Sequence, residues 1–367
     1  MSGIVKCFPT ESRKPKQERA TLSEPPITNS DTEEQPLDPE RPIIDSHLHH
    51  WEIRPIPGLT QRFLLHESLD TVERSGHNIS HTVFVECRAM YRLDGPPEFA
   101  PLGETEFANG IAAMSASGGY GPCRLAHRIV GNADLMLGAA VAPVIEAHVA
   151  AAGERFRGVR VPTAFCEAGL FGAPCDPSLR GLMLKPAFRA GASVLAGMDL
   201  SLDVWCLHTQ LDELIDLADA LPTLTIVLNH VGTPECHGGY TGREAQARAE
   251  WAAKIVELAR RPNVYVKLGG MGMRIDGQID GATGPATSET LAANWRSRIE
   301  TCIEAFTAER CMFESNFPPD GASGSYGATW NAFKRVTRDY SEDEKDWLFR
   351  KTAARVYRIA LESGEAE

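Results

Sequence analysis

Short apolar runs alternate with amphipathic stretches along most of this chain. The runs fall at Ile43–His49, His81–Cys87, Leu135–Val141, Phe156–Val161, Val204–His208, Leu224–His230, Val264–Leu268 and Cys311–Phe313. Runs this short and this apolar suit strands buried on both faces. Between most of them lie stretches of helical periodicity: Ser68–Asn78, Val144–Glu154, Pro177–Ala190, Leu211–Ala220, Glu244–Arg260 and Thr290–Ala308. Ala328–Arg338 and Ser341–Leu361 read as closing helices. Eight strands separated by helices predict parallel βα units, hence an α/β fold with a single-domain (β/α)8 TIM barrel; an open doubly wound sheet is the alternative.

Two connections are long. Arg88–Pro101 continues through Gly118-Gly119-Tyr120-Gly121-Pro122 to Asp134, and Arg274–Ser288 follows the seventh strand. In a barrel both would emerge at the face that carries active sites. Residues 1–41 differ from the barrel assigned to 42–361. Bases dominate the first twenty residues; the next twenty carry acids and no base, with Pro recurring throughout. With few large apolar residues, this reads as a disordered tail.

A net charge of −12 argues against a nucleic-acid partner and an anionic membrane surface. No apolar run is expected to approach the ~18 residues of a membrane span. Nine Cys without a C-x-x-C pair, and no signal peptide, point to reduced thiols in a cytoplasmic protein.

Polar residues interrupt the apolar runs at their C-terminal ends. His47 and His49 end the first, Glu86 the second with Arg88 two on, Arg160 the fourth, His208 the fifth and His230 the sixth. Lys267 lies in the seventh, and Glu314 and Asn316 follow the eighth. In a regular strand Asp45, His47 and His49 share one face, where two imidazoles converge on one metal ion or substrate oxygen. Charge gathered at one mouth is costly unless it is paired or used. Gly269-Gly270-Met271-Gly272 lacks the spacing of a phosphate loop.

Six segments together resemble a known family: Ile43-Ile44-Asp45-Ser46-His47-Leu48-His49, Phe156–Arg160, Leu207–Leu211, Leu228–Gly232, Val264–Leu268 and Phe313–Pro318. They are similar to the amidohydrolase-2 branch of the metal-dependent hydrolases, most of all its lactonase group, which includes 2-pyrone-4,6-dicarboxylate lactonase, fuconolactonase, rhamnonolactonase and sulfomuconolactonase. The resemblance spans about residues 42–361. It implies a (β/α)8 barrel that opens a lactone or related cyclic ester. Some members bind zinc and at least one works without metal. By position, His47, His49 and His208 are the implied metal ligands. His47, His49, His208, His230, Glu314 and Asn316 are the implied catalytic set.

One departure stands out. The family reads Gly-Ser-Asp-Trp-Pro after the eighth strand, and this chain reads Glu314-Ser315-Asn316-Phe317-Pro318. Asn takes no proton from water, so the base is expected at Glu314, with Glu86 and Asp320 as alternatives. Glu86, Arg88, Arg160 and Lys267 are expected to bind a small anionic substrate, Arg through its bidentate fork. The expectation is thus a hydrolase for a small carboxylated lactone. A decarboxylase or hydratase, or a binding barrel without catalysis, are the rivals.

Overall fold

The computed structural model describes residues 34–52, 62–234, 237–273 and 285–361. Eight strands form one parallel sheet in sequence order: β1 Ile43–Leu48, β2 Ile79–Val85, β3 Arg124–Gly131, β4 Phe156–Pro162, β5 Ser201–Trp205, β6 Ile226–Leu228, β7 Val264–Leu268 and β8 Cys311–Phe313. The sheet curls onto itself. Just past β8, Asn316 N donates to His47 O (3.0 Å) and His49 N donates to Phe317 O (2.9 Å). Helices α1 Leu65–Ser75, α2 Leu102–Ala116, α3 Ala142–Ala152, α4 Pro186–Gly197, α5 Leu211–Ala220, α6 Glu244–Leu258 and α7 Ser288–Phe306 lie in the connections, and α8 Tyr326–Val336 follows β8. The architecture is the expected (β/α)8 barrel.

Side-chain parity divides each strand between two cores. Phe84, Ile226, Leu228, Val264, Val266, Leu268, Cys311 and Phe313 join the layer beneath the helices. Ile44, Val83, Val85, Val130, Val227 and Met312 join a smaller core that Ala353, Ala354, Tyr357 and Ile359 complete. The same alternation turns Arg160, Asp203, Asn229, Lys267 and Glu314 away from the outer layer, and all five are buried. The barrel therefore carries polar groups above an apolar floor.

The third strand is not where the apolar pattern puts it. Leu135–Val141 forms a 3-10 segment, started by the Asp134 carboxylate accepting from Met136 N and broken at Gly138 (φ 60°, ψ −140°). Only Val141 in that run is β-branched, so nothing local favours a strand over a turn. It packs against α4, where a side chain on Gly191 would meet Leu135 O at 2.3 Å. The true β3 is hidden by Arg124, His127 and Arg128. The expected long connection also contains a helix, α2. Leu135–Arg155 is long and apolar enough to cross a membrane by length and composition, which corrects the expectation that no run approaches that length. Here it comprises the segment kinked at Gly138 followed by α3.

Of the expected tail, residues 1–33 lie outside the described residues. Residues 34–41 dock on α8: Glu34 accepts from Ser288 N and Asn331 Nδ2, Leu37 N donates to Asn331 Oδ1, and Lys334 Nζ donates to Leu37 O and Asp38 O. The expected loop after β7 falls mostly on 274–284, also outside the described residues.

Candidate active site

Glu314 is the hub of the mouth. It is fully buried, and its Oε1 accepts from both His230 N (3.0 Å) and His230 Nδ1 (2.7 Å). Its Oε2 lies 2.7 Å from His47 Nδ1. A carboxylate only accepts, so His230 carries its proton on Nδ1 and turns a lone pair outward at Nε2, while the Arg160 guanidinium, a donor only, makes His47 Nε2 an acceptor. Two glycines make this possible. A side chain on Gly269 would meet Glu314 O at 2.1 Å, and one on Gly270 (φ 65°) would meet His230 Nδ1 at 2.1 Å. His230 itself sits at φ 57°.

A second constellation faces the outer side of His47. His49 Nδ1 donates to Val85 O (2.7 Å), which leaves the His49 Nε2 lone pair 3.2 Å from His47 Nε2 and 3.3 Å from Asn316 Oδ1. The Asn316 amide cannot turn over, because its Nδ2 donates to Asp320 Oδ1 (2.6 Å) while Asp320 Oδ2 accepts from Gly272 N. His49 Nε2 thus faces two further acceptors, His47 Nε2 and Asn316 Oδ1, each across about a hydrogen-bond length. Burial, with the charge of Lys267 added, holds the His47 pKa well below its usual value, so His47 is neutral and supplies no proton. A cation between these acceptors, or a proton on His49 Nε2, relieves the opposition.

Arg160 borders this group. Its Nε donates to Glu86 Oε1 (2.8 Å), its Nη2 to Glu86 O, and its Nη1 approaches His47 Nε2 at 3.3 Å. Burial works against its charge, and the Glu86 carboxylate outweighs that and keeps the guanidinium protonated. Beneath Glu86, burial and the Glu86 charge push Glu104 up to about 8. Glu104 Oε1 accepts from Cys87 N and Ala89 N and so fixes the turn after β2.

Other expected residues are placed differently. Lys267 is fully buried and donates to Asp203 Oδ2 (2.9 Å), behind His47 rather than at the opening. His208 packs on Tyr240 with ring centroids 4.9 Å apart, and its Nε2 is 3.9 Å from Glu250 Oε2. It does not join the group formed by His47, His230 and Glu314, whose ligand atoms lie within 4.8 Å of one another. Arg88 is exposed at φ 61° on the turn after β2 and makes no ion pair among the described residues. Asp45 does not share the imidazole face, because the β1–β2 register shifts between Asp45 and Leu48. Its oxygens accept from Ser315 N (2.9 Å) and Tyr326 OH (2.9 Å), which ties β1 to β8 and α8.

Residues 44–359 match the amidohydrolase family (Amidohydro_2). The chain belongs to that family. An uncharacterized protein of Sinorhizobium fredii, y4mH, is 30% identical to this amidohydrolase over 334 residues, 86% of this chain and 98% of its own. An L-fucono-1,5-lactonase of Burkholderia multivorans is 27% identical over 189 residues, 50% of this chain and 60% of that one. Among solved structures, an amidohydrolase from Burkholderia multivorans with bound zinc has a TM-score of 0.66 at 24% identity, covering 87% of this chain and all of its own. That likeness is one of fold.

Several residues of this amidohydrolase's site escaped the sequence reading. Asp203 accepts from Lys267, Asn229 Nδ2 (3.0 Å) and Tyr357 OH (2.9 Å). It lies within a run of apolar residues, and only its strand parity hints at an inward position. Trp205, at the end of β5, sets its ring edge-on to His230 at 6.2 Å. Gly269 and Gly270, which lack the spacing of a phosphate loop, make the space that the His230–Glu314 pair occupies.

Proposed function

We propose that this amidohydrolase opens a small lactone by water attack on the ring carbonyl at the barrel mouth. What carries the reading is a set of three opposed acceptors, His47 Nε2, His49 Nε2 and Asn316 Oδ1, beside an imidazole locked on a carboxylate. Their separations of 3.2 and 3.3 Å suit a tetrahedral zinc site, whose ~2.0 Å bonds to nitrogen give edges of about 3.3 Å. His47, His49 and Asn316 would hold the ion. When bound it supplies Lewis acidity toward a carbonyl and lowers the pKa of water. His208, implied as a ligand by the resemblance, is replaced in this reading by Asn316.

The chain's own residues do the proton work. His230 takes the water proton at Nε2, and Glu314 fixes its tautomer and stabilises the imidazolium that results. The new carbon–oxygen bond forms as the ring ester bond breaks, and His230 returns the proton to the departing alkoxide. Glu314 thus serves the base through His230, since both its oxygens already face imidazole nitrogens. Arg160 Nη1 borders the developing oxyanion, and the exposed Arg88 is placed to meet a substrate carboxylate. Trp205 offers an apolar face for the ring. The B. multivorans relative named L-fucono-1,5-lactonase supports the substrate class.

The test is acid release, followed by pH-stat, from sugar 1,5-lactones and carboxylated lactones, with metal analysis of the same preparation. Turnover of at least one lactone with about one divalent ion per chain is expected. No acid release across the panel, or carbon dioxide from carboxylated aromatics instead, would overturn the hydrolase reading. Full turnover after the ion is stripped would assign the opposed lone pairs to a proton on His49.

A further inference from the structure

A cavity of about 340 Å³ opens on the outside of the barrel, between the docked segment 34–41, the end of α8 and the C-terminal helical region. Its wall carries five cations, Arg41, Lys334, Arg335, Arg338 and Lys345, against one carboxylate, Asp38. In a chain of net charge −12, five positive side chains gathered from separate segments form a local field of opposite sign to the whole. The carboxylates that answer them from outside the wall are exposed. Glu342 pairs with Arg41 (2.5 Å) and Lys345 (3.0 Å), and Glu289 with Arg335 (3.3 Å), yet each is 75% exposed. Arg41 also pairs with Asp38 of the wall (2.6 Å); its exposed partner Glu342 is the group that an incoming anion displaces. Arg338 has no ion pair among the described residues. Lys334 Nζ is committed to Leu37 O, Asp38 O and His77 Nδ1, so it builds the wall and holds segment 34–41 in place. Arg41 also lies over the Phe349 ring, 5.9 Å from its centroid, which fixes its guanidinium at the rim.

We propose that this cavity is a binding site for a small multivalent oxyanion, one carrying at least two negative groups, separate from the barrel mouth. Arg41 and Lys345 share the exposed Glu342 as a partner, Arg335 stands on α8 and Arg338 just past its end, so the cations come from separate segments of the wall. A ligand with two charged ends engages more than one segment, whereas a monovalent ion engages one. Arginines bind phosphate and carboxylate oxygens alike through their paired N–H groups. Two ligand sources therefore share this chemistry: a diphosphate-type and a polycarboxylate-type molecule. Because the site spans segment 34–41 and α8, its ligand stabilises their docking and raises the melting temperature by mass action.

Calorimetric titration of the full chain with pyrophosphate, and separately with citrate, tests this, alongside thermal melts in the same solutions. One-site binding of at least one probe is expected, weakened at least tenfold by Arg338→Glu, with a matching loss of the melting shift. Arg338 is exposed and outside the catalytic group, so lactone turnover of Arg338→Glu in the absence of the probes stays at the native level. Stronger pyrophosphate binding assigns the diphosphate class, and stronger citrate binding the polycarboxylate class. Binding of neither probe overturns the proposal, as does affinity unchanged in Arg338→Glu. Equal heats from sodium acetate would show general screening only. Loss of binding in Arg160→Ala with retention in Arg338→Glu would place the anion at the mouth instead.

Discussion

Residues at the mouth divide by what their second polar atom does. His230 has a partner at Nδ1 and a lone pair for water at Nε2, so it is the group expected to move the proton. His230→Asn should lower kcat about 10²–10⁴-fold with a smaller change in KM. Glu314→Gln should give a loss within tenfold of that, because the pair acts as one unit. The double variant should be no worse than the poorer single variant. Additive losses would separate Glu314 from His230 and return Glu314 to an independent role as base. Lys267 illustrates the opposite case. Its ammonium is fully buried against Asp203, so Lys267→Met leaves a buried carboxylate without its cation. Removing one partner of a buried pair costs about 3–5 kcal/mol. Chemical unfolding should show a loss of that size; a change below about 1 kcal/mol would mean that Tyr357 and Asn229 suffice to hold Asp203.

At the scale of elements, what was legible depended on whether chemistry is set by local pattern or by a tertiary neighbour. Strands β1, β2, β4 and β7 carry β-branched runs and lie where the pattern put them. Strand β3 does not, since its charged positions Arg124 and Arg128 break the apolar run that identifies a buried strand. Rim histidines could be picked out as strand-end residues, but which way each turns depends on features with no sequence signal. The β1–β2 register shift separates Asp45 from His47, and His208 turns toward Tyr240 on the far side of its strand end. The turn after β7 makes the same point in testable form. Gly270 lies at φ 65°, and a methyl group there would meet three atoms of His230 within 2.5 Å. Gly270→Ala should therefore displace the imidazole and abolish most turnover, while Gly239→Ala, in open surroundings, should leave turnover intact. A Gly270→Ala enzyme that retains native kcat would show that His230 tolerates displacement and is not the proton carrier.

The whole molecule stores a proton deficit. Six histidines away from the His230–Glu314 pair are held neutral, burial being the main cause in each. His50 and His127 are lowered to about 3, and His77, His81, His148 and His208 to about 4. In the unfolded chain each titrates near 6.5. Between pH 6.5 and about 4 the unfolded state therefore binds more protons at these sites than the folded state, and stability falls as pH falls. Two buried carboxylates act in the opposite sense. Asp45 is raised to about 6 and Glu104 to about 8, chiefly by burial, so the folded state holds their protons where the unfolded state has released them. They gain stability as pH falls through those windows, but the histidines outnumber them. Each net proton contributes a slope of about 1.4 kcal/mol per pH unit. Urea midpoints measured at pH 7, 6, 5 and 4.5 should decline steeply below pH 6.5. His148→Gln should make the decline shallower by about one proton, because that buried imidazole, bonded through Nδ1 to Thr105 Oγ1 (2.8 Å), no longer resists charging. A midpoint that stays level or rises between pH 6.5 and 4.5 would mean that the carboxylates dominate and that these histidines accept protons without opening the fold.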